Sequence, residues 1–463
     1  MSFIVCIAAL CFLMLAAYRG FSVIIFAPIA ALLAVLITEP SSVLPVYSGL
    51  FMDKMVVFVK LYFPVFLLGA VFGKVIELSG FSKSIVAWTM RLVGRERAVL
   101  AIVIVCALLT YGGVSLFVVV FAVYPFAAEA FRLGAIPKRL IPGTIALGAF
   151  TFTMDSLPGT PQIQNIIPTS FFKTTTWAAP WLGLIGATFI AICGLTYLTW
   201  RIRQAARAGE GYGTGHMLEP EPIPDEELPH PGIALLPLVV VGVMNLVFTL
   251  TIPLVYGDSH TATLAGLTKP LVTPIAPVVA IWAVQLALLC GILTVFIFAF
   301  RPVKRRFAEG SKLAVGGALL ASLNTASEYG FGAVIAALPG FIAIRDALQA
   351  IPNPLVNEAI SVTVLAGITG SASGGLSIAL AAMSEQFIAA ANAAHIPLAV
   401  LHRVAAMASG GMDTLPHNGA VITLLAVTGL THRQSYKDIF AITCIKTVAV
   451  FVVIAVYYAT GIV

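Results

Sequence analysis

Charged residues make up only 10% of this 463-residue sequence, against 60% hydrophobic residues, a balance that excludes a soluble globular protein. Cysteine is sparse. Cys6, Cys11, Cys106, Cys193, Cys290 and Cys444 all lie inside apolar stretches, with no CxxC or metal-ligand spacing, so they read as small packing residues rather than a disulfide or metal framework. There is no GxxxxGK[ST] word and no soluble segment of useful size, which leaves ATP coupling unsupported. No GxSxG or HExxH accompanies the His and Asp residues of the apolar segments, so an intramembrane hydrolase lacks its catalytic word and the chain reads as a non-enzyme without cofactors. The stretch Ser2 to Tyr18 is apolar but has no cationic region before it, so it reads as a first span and not as a cleaved signal.

What remains is hydrocarbon, with a mean hydropathy of +1.02. Apolar runs long enough to cross about 30 Å of bilayer recur, as from Ile233 to Tyr256 and from Val272 to Phe300. The formal charge of +6 comes from short basic clusters, at Lys83 to Arg97, Arg132 to Arg139, Arg201 to Arg207 and Arg301 to Lys312. Such clusters at span ends act as topology signals, so nucleic acid is not an expected partner. Placing them in the cytoplasm gives ten spans, at about 2–18, 21–38, 57–80, 138–168, 177–200, 233–256, 272–300, 313–340, 397–428 and 438–460.

The segment at about 98–132 carries cytoplasmic-type charge at both ends and is broken at Tyr111-Gly112-Gly113, so it reads as a re-entrant helical hairpin. A second Gly-broken segment, about 358–392, is expected to enter from the opposite face. The Gly-, Pro- and Glu-rich stretch 209–232 reads as a flexible cytoplasmic linker. It divides the chain into a first repeat, 1–208, and a second, 233–463.

Four words recur in order, each about 260 residues downstream. FGKVIELSGF from Phe72 matches FGAVIAALPGF from Phe331, GGVS from Gly112 matches GGLS from Gly374, Ile136-Pro137 matches Ile396-Pro397, and MDSLP from Met154 matches MDTLP from Met412. The charge rule places matching words on opposite sides of the membrane. The expected fold is therefore an all-α polytopic membrane protein of two inverted repeats, each with five spans and one re-entrant hairpin, an arrangement typical of alternating-access transporters.

In each repeat a span is interrupted at Leu-Pro. A helix broken in hydrocarbon exposes amides and carbonyls, which is tolerable only beside protein, water or ligand. Half-helix N-termini favour an anion, while carbonyl ends and carboxylates favour a cation. Asp155, Ser156, Thr160, Gln162 and Asn165 surround the first break, with Ser115 at its hairpin tip; Asp413, Thr414, His417 and Asn418 surround the second, with Ser371, Ser373 and Ser377 at its tip. Hydroxyls and amides suit a hydroxylated organic acid, and equally suit a broken backbone in need of partners.

Asp155 and Asp413 are candidates for binding a coupling proton or Na⁺, with helix capping as their alternative role. Glu328, in ASEYG, is a further candidate for proton coupling. His402 and Arg403 read as snorkelling residues, and Lys74 and Glu77 as a local pair.

Through GSASGGLSIA from Gly370 and the Leu-Pro break after Thr153, most of the chain resembles the gluconate:proton symporter (GntP) family, within a superfamily that also holds citrate and dicarboxylate carriers. The resemblance implies proton-coupled uptake of an organic acid anion by a bacterial inner-membrane permease, and a homodimer. It assigns Ser115, Asp155, Thr160 and Gln162 to the site from the first repeat and Ser371, Ser373, Asp413, His417 and Asn418 from the second. The family's first break is rich in Pro and His, whereas LPGTPQ from Leu157 has no histidine, so 3-hydroxybutyrate stands beside gluconate as an expected substrate. A sodium-coupled di- or tricarboxylate carrier and an anion channel are the alternatives.

Overall fold

The computed structural model describes residues 2–19, 21–94, 97–114, 116–216, 219, 228–266, 268–342, 351–416 and 418–463. The first half comprises α1 (Ser2–Tyr18), α2 (Val23–Thr38), α3 (Met52–Leu78), α4 (Phe81–Val93), α5 (Ala98–Tyr111), α6 (Leu116–Leu133), α7 (Ile141–Ala149), the short α8 (Phe152–Asp155), α9 (Ile163–Phe172) and α10 (Pro180–Arg207). The second comprises α11 (Pro231–Tyr256), a small hairpin of β1 (Ser259–Ala262) and β2 (Leu271–Pro274), α12 (Val279–Ala337), α13 (Pro354–Thr369), α14 (Ala372–Ala393), α15 (Leu398–Ser409), α16 (Gly419–Thr428) and α17 (His432–Thr460). The expected hairpins are α5–α6 and α13–α14. Both expected breaks are present, the first splitting one span into α7, α8 and α9 and the second splitting another into α15 and α16.

Four features depart from the sequence reading. Helix runs on from Pro40 into α3, through 3₁₀ and π turns, so that span extends well beyond its expected start. The basic stretch after α3 folds as the amphipathic α4, whose apolar face buries Phe81, Ile85 and Val86. The expected seventh and eighth spans form a continuous helical segment, α12, with non-helical φ/ψ at Ala299. Phe296 and Phe307 would lie about 16 Å apart along a straight helix, yet their ring centroids are 5.2 Å apart. The chain therefore reverses there, giving two antiparallel arms, and the second runs along α3, with Gly310 against Leu78 and Gly330 against Phe51.

The fourth departure is the linker. Its first part is docked rather than free: Glu210 accepts from Arg139 Nε and Nη2 at 2.7 Å, and Glu219 accepts from Lys138 Nζ at 2.8 Å and from Arg132. Arg139 also approaches Asp438 of α17 at 3.4 Å, and Arg201 of α10 donates to the same carboxylate at 2.6 Å. The hydrogen bond from Arg139 holds the Glu210 carboxyl below its ordinary value of 4.5. Its contribution is therefore complete above that value and is lost as pH falls through the depressed one. Because the pair is partly exposed, Glu210→Gln should lower the melting temperature at pH 7 by no more than about 2 °C. The gap from wild type should close as pH falls through the depressed value, below the ordinary 4.5, which a pH series of thermal melts would read.

The same contacts orient the hairpins. Arg139, just past the mouth of α5–α6, meets Ser435 and Asp438 at the start of α17. Asn353, at the mouth of α13–α14, accepts from Tyr458 at its far end, 3.1 Å away. From Asp438 to Tyr458 a helix rises about 30 Å, the thickness of the hydrocarbon core. The two hairpins thus open at opposite ends of one spanning helix. In the second, a Cβ on Gly375 would lie 2.2 Å from the backbone of Ala366, so only glycine lets the arms touch.

Candidate functional site

Two helix breaks in an apolar core leave carbonyls and amides without helical partners, and each such group costs on the order of several kcal/mol in hydrocarbon unless it is satisfied. At the first break the partners are side chains. Asn245 Nδ2 donates to Gly159 O at 2.8 Å, and Tyr111 Oη to Pro158 O at 2.9 Å. Asn165 Nδ2 donates to Thr160 O and Thr176 O at 3.0 and 2.8 Å. Its Oδ1 accepts from Arg403 Nη1 at 3.1 Å and faces His402 Nε2 at the same distance. Arg403, fully buried, also donates to Asp155 O at 3.0 Å and to Ala178 O at 2.8 Å. His402 and Arg403 therefore do not snorkel, as the sequence suggested. They project from α15 in the second half of the chain into the break in the first half, while Lys74 and Glu77 pair at 3.0 Å as expected.

A second cation sits where the breaks meet. Lys446, 2% exposed in mid-α17, donates to Asp413 Oδ1 at 2.6 Å and to Phe150 O at 2.9 Å. Asp155 accepts from Ser156 Oγ at 2.7 Å through Oδ1, and its Oδ2 has no partner. That free oxygen lies 2.0 Å from the point where a Cβ on Gly410 would sit, and Lys446 Nζ lies 3.5 Å from the same point. Glycine at 410 thus keeps the Asp155 carboxylate and the Lys446 ammonium in one pocket. The aspartates singled out for ion coupling are accordingly matched by two buried cations, Lys446 and Arg403.

The other residues selected from sequence separate into groups. Thr160 and Gln162 bond backbone, at Thr153 O (2.9 Å) and Thr110 O (2.7 Å) respectively. Asn418 caps α16 through Val421 N at 2.9 Å and donates to Gly370 O at the second hairpin tip at 2.8 Å. Gln162 and Asn418 thus do one job in the two halves of the chain: each stands just before a half-helix and grips the nearby hairpin. Thr414 bonds Thr443 at 2.5 Å. Ser371 caps α14 through Gly374 N at 3.0 Å, and Ser373 meets Thr325 at 3.2 Å. Glu328 lies over this same hairpin tip. Ser115 and His417 lie outside the described residues.

Sequence reasoning missed Lys446, Asn245, Trp177 and Glu358. The signal for Lys446 was present, since a lysine in the middle of an apolar run is as costly as an aspartate. Buried polar atoms without a partner concentrate in two places, and Asp155 Oδ2 is one of those at the first break. Thr110 Oγ1, Gln164 Oε1, Trp177 Nε1 and Asn245 Oδ1 surround the first break, and Ser322 Oγ, Asn324 Oδ1, Ser327 Oγ, Glu328 Oε2 and Ser377 Oγ line the second hairpin tip and the arm of α12 leading to it. Apart from these, only the carboxyl of Glu358 is unpartnered among the described residues. Orphaned groups grouped in this way suit a polar ligand.

Paired hairpins and paired breaks around a buried charge cluster define a class, the polytopic α-helical membrane transporters. No family model matches the chain. It is 58% identical over 472 residues to the uncharacterized transporter YxjC of Bacillus subtilis (strain 168), with 100% of each chain covered. The chain belongs to that transporter's family, and it is a multi-pass membrane transporter, not an enzyme. Among solved structures it is similar to the Alcanivorax borkumensis YdaH transporter, with 14% identity and a TM-score of 0.48 over 91% of this chain and 90% of that one.

Proposed function

We propose that the chain is a secondary active symporter, built from two inverted repeats in the bacterial inner membrane, that takes up a small organic acid anion with protons. The supporting observation is the set of orphaned polar atoms at the first break and the second hairpin tip, together with the Asp155–Lys446–Asp413 cluster. Hydroxyl, amide and indole groups there match a ligand that both donates and accepts, such as gluconate or 3-hydroxybutyrate. Buried cations beside the breaks favour an anion. The opposed hairpin mouths support the inverted arrangement and its alternating access. The proposed assembly is a homodimer.

A sodium-coupled carrier is favoured by one feature, the oxygen-rich tip formed by Thr325, Ser371 and Ser373 around Glu328. Uptake of radiolabelled gluconate and 3-hydroxybutyrate into proteoliposomes separates the readings. An inward proton gradient should drive accumulation of one of them, and a sodium gradient should add nothing. Stimulation by sodium alone would replace the proton reading, and flux that neither saturates nor concentrates the anion would identify a channel.

A further inference from the structure

The duplicated Gly-Gly pair gives each hairpin tip a notch, and the two notches are filled differently. At the first, a Cβ on Gly112 would strike the Leu238 side chain at 2.3 Å. At the second, a Cβ on Gly374 would lie 1.9 Å from Glu328 Oε2 and 2.3 Å from its Cδ. One notch holds hydrocarbon; the other holds a carboxyl group.

That carboxyl is 3% exposed, and its Oε2 has no partner. It rests on the first turn of the 22-residue α14, the positive end of the helix dipole, beside Ser371. No cation pairs with it among the described residues. The titratable groups on the elements packed around this part of α12 are the phenols of Tyr47, Tyr62 and Tyr329, since α2, α9 and the first turns of α14 carry no acid or base. The charged residues of α3 are elsewhere: Asp53, Lys54 and Lys60 are exposed, and Lys74 pairs with Glu77. Asp155 and Asp413, by contrast, share Lys446 and Arg403. Glu358 is buried without a partner as well, but about three turns back along α13, away from the tip.

The geometry points to Glu328 as the group that binds the coupling proton, in a seat formed by Gly374, Ser371 and the N-terminus of α14. Shut off from water and with no cation beside it, a carboxylate is costly even among hydroxyls, so the closed seat favours the acid. When the tip parts from α12 and water enters, the proton leaves, and the helix N-terminus stabilises the carboxylate left behind. Protonation of Glu328 therefore changes the net charge of the carrier, whereas the two carboxyl groups of Asp155 and Asp413 are matched by the two cations Lys446 and Arg403. The inference rests on the proton-symport reading above, but its first test needs no substrate.

In the reconstituted full-length protein, pH-difference infrared spectra should contain the carbonyl stretch of a protonated carboxyl. That band should vanish in Glu328→Gln and shift in Glu328→Asp. A folded Glu328→Gln protein whose difference spectrum matches wild type overturns the assignment. If Glu328→Gln does not fold, an unshifted band in Glu328→Asp does the same. Whichever of gluconate and 3-hydroxybutyrate the wild type concentrates should still exchange across vesicles bearing Glu328→Gln. The accumulation ratio under a one-unit pH gradient should fall there from about tenfold to unity; retained accumulation counts against the proposal. Where neither anion is concentrated by wild type, the symport reading fails on its own and the infrared result still decides the proton seat.

Discussion

Lys446→Met is expected to destabilise the protein by about 3–5 kcal/mol, the cost of leaving a buried charge uncompensated. Asp413 would lose the ammonium 2.6 Å away, while Phe150 O would lose the only side-chain donor it has among the described residues. The double variant Lys446→Met/Asp413→Asn should recover most of the loss, because a neutral amide no longer needs a cation. Thermal melts of the purified proteins measure both. A single variant as stable as wild type would show that the pair is not desolvated as its 2% and 6% exposures indicate. Transport should not recover with stability in the double variant, since the charge balance around Asp155 would still be altered.

The framework was legible because membrane physics writes it coarsely. Apolar length gave the spans, basic clusters gave their ends, and the doubled MD[ST]LP word marked both breaks. The finer errors share one cause: a rule based on apolar runs cannot see what a polar residue meets in three dimensions. Arg403 close to a span end looks like a snorkelling residue until α15 is packed against the first break. Glu210 and Glu219 look like solvated linker charge until Arg139, Arg132 and Lys138 are brought beneath them. Asp413 reads in sequence as an ion-coupling or capping residue, with no sign of the ammonium it meets, which is 33 residues away on another helix. The site had a similar limit. Residue type identified Thr160, Gln162 and Asn418 as polar groups at the breaks, but only packing shows that they already hold backbone, and that Glu328 and Ser371 belong to one seat.

Arg403→Lys should be the most damaging conservative change at the first break. The guanidinium serves three acceptors from one planar group, Ala178 O, Asp155 O and Asn165 Oδ1. An ammonium on a thinner stem cannot span them. Each buried acceptor left unpaired costs about 1–3 kcal/mol, so losing two predicts a destabilisation of about 2–6 kcal/mol. Asn165→Ala removes one acceptor together with the donors to Thr160 O and Thr176 O. A double-mutant cycle between the two should therefore depart from additivity by about 0.5–3 kcal/mol, and strict additivity would show that they do not form one unit. The cycle also bears on mechanism. Both cations at the breaks, Arg403 and Lys446, come from the second half of the chain and grip carbonyls of the first half, at Ala178 and Asp155 in one case and Phe150 in the other. Breaks fastened together in this way are expected to move as one body, so on the proposed symport reading alternating access should come from motion around the paired breaks, at the hairpin tips, rather than from separation of one break from the other.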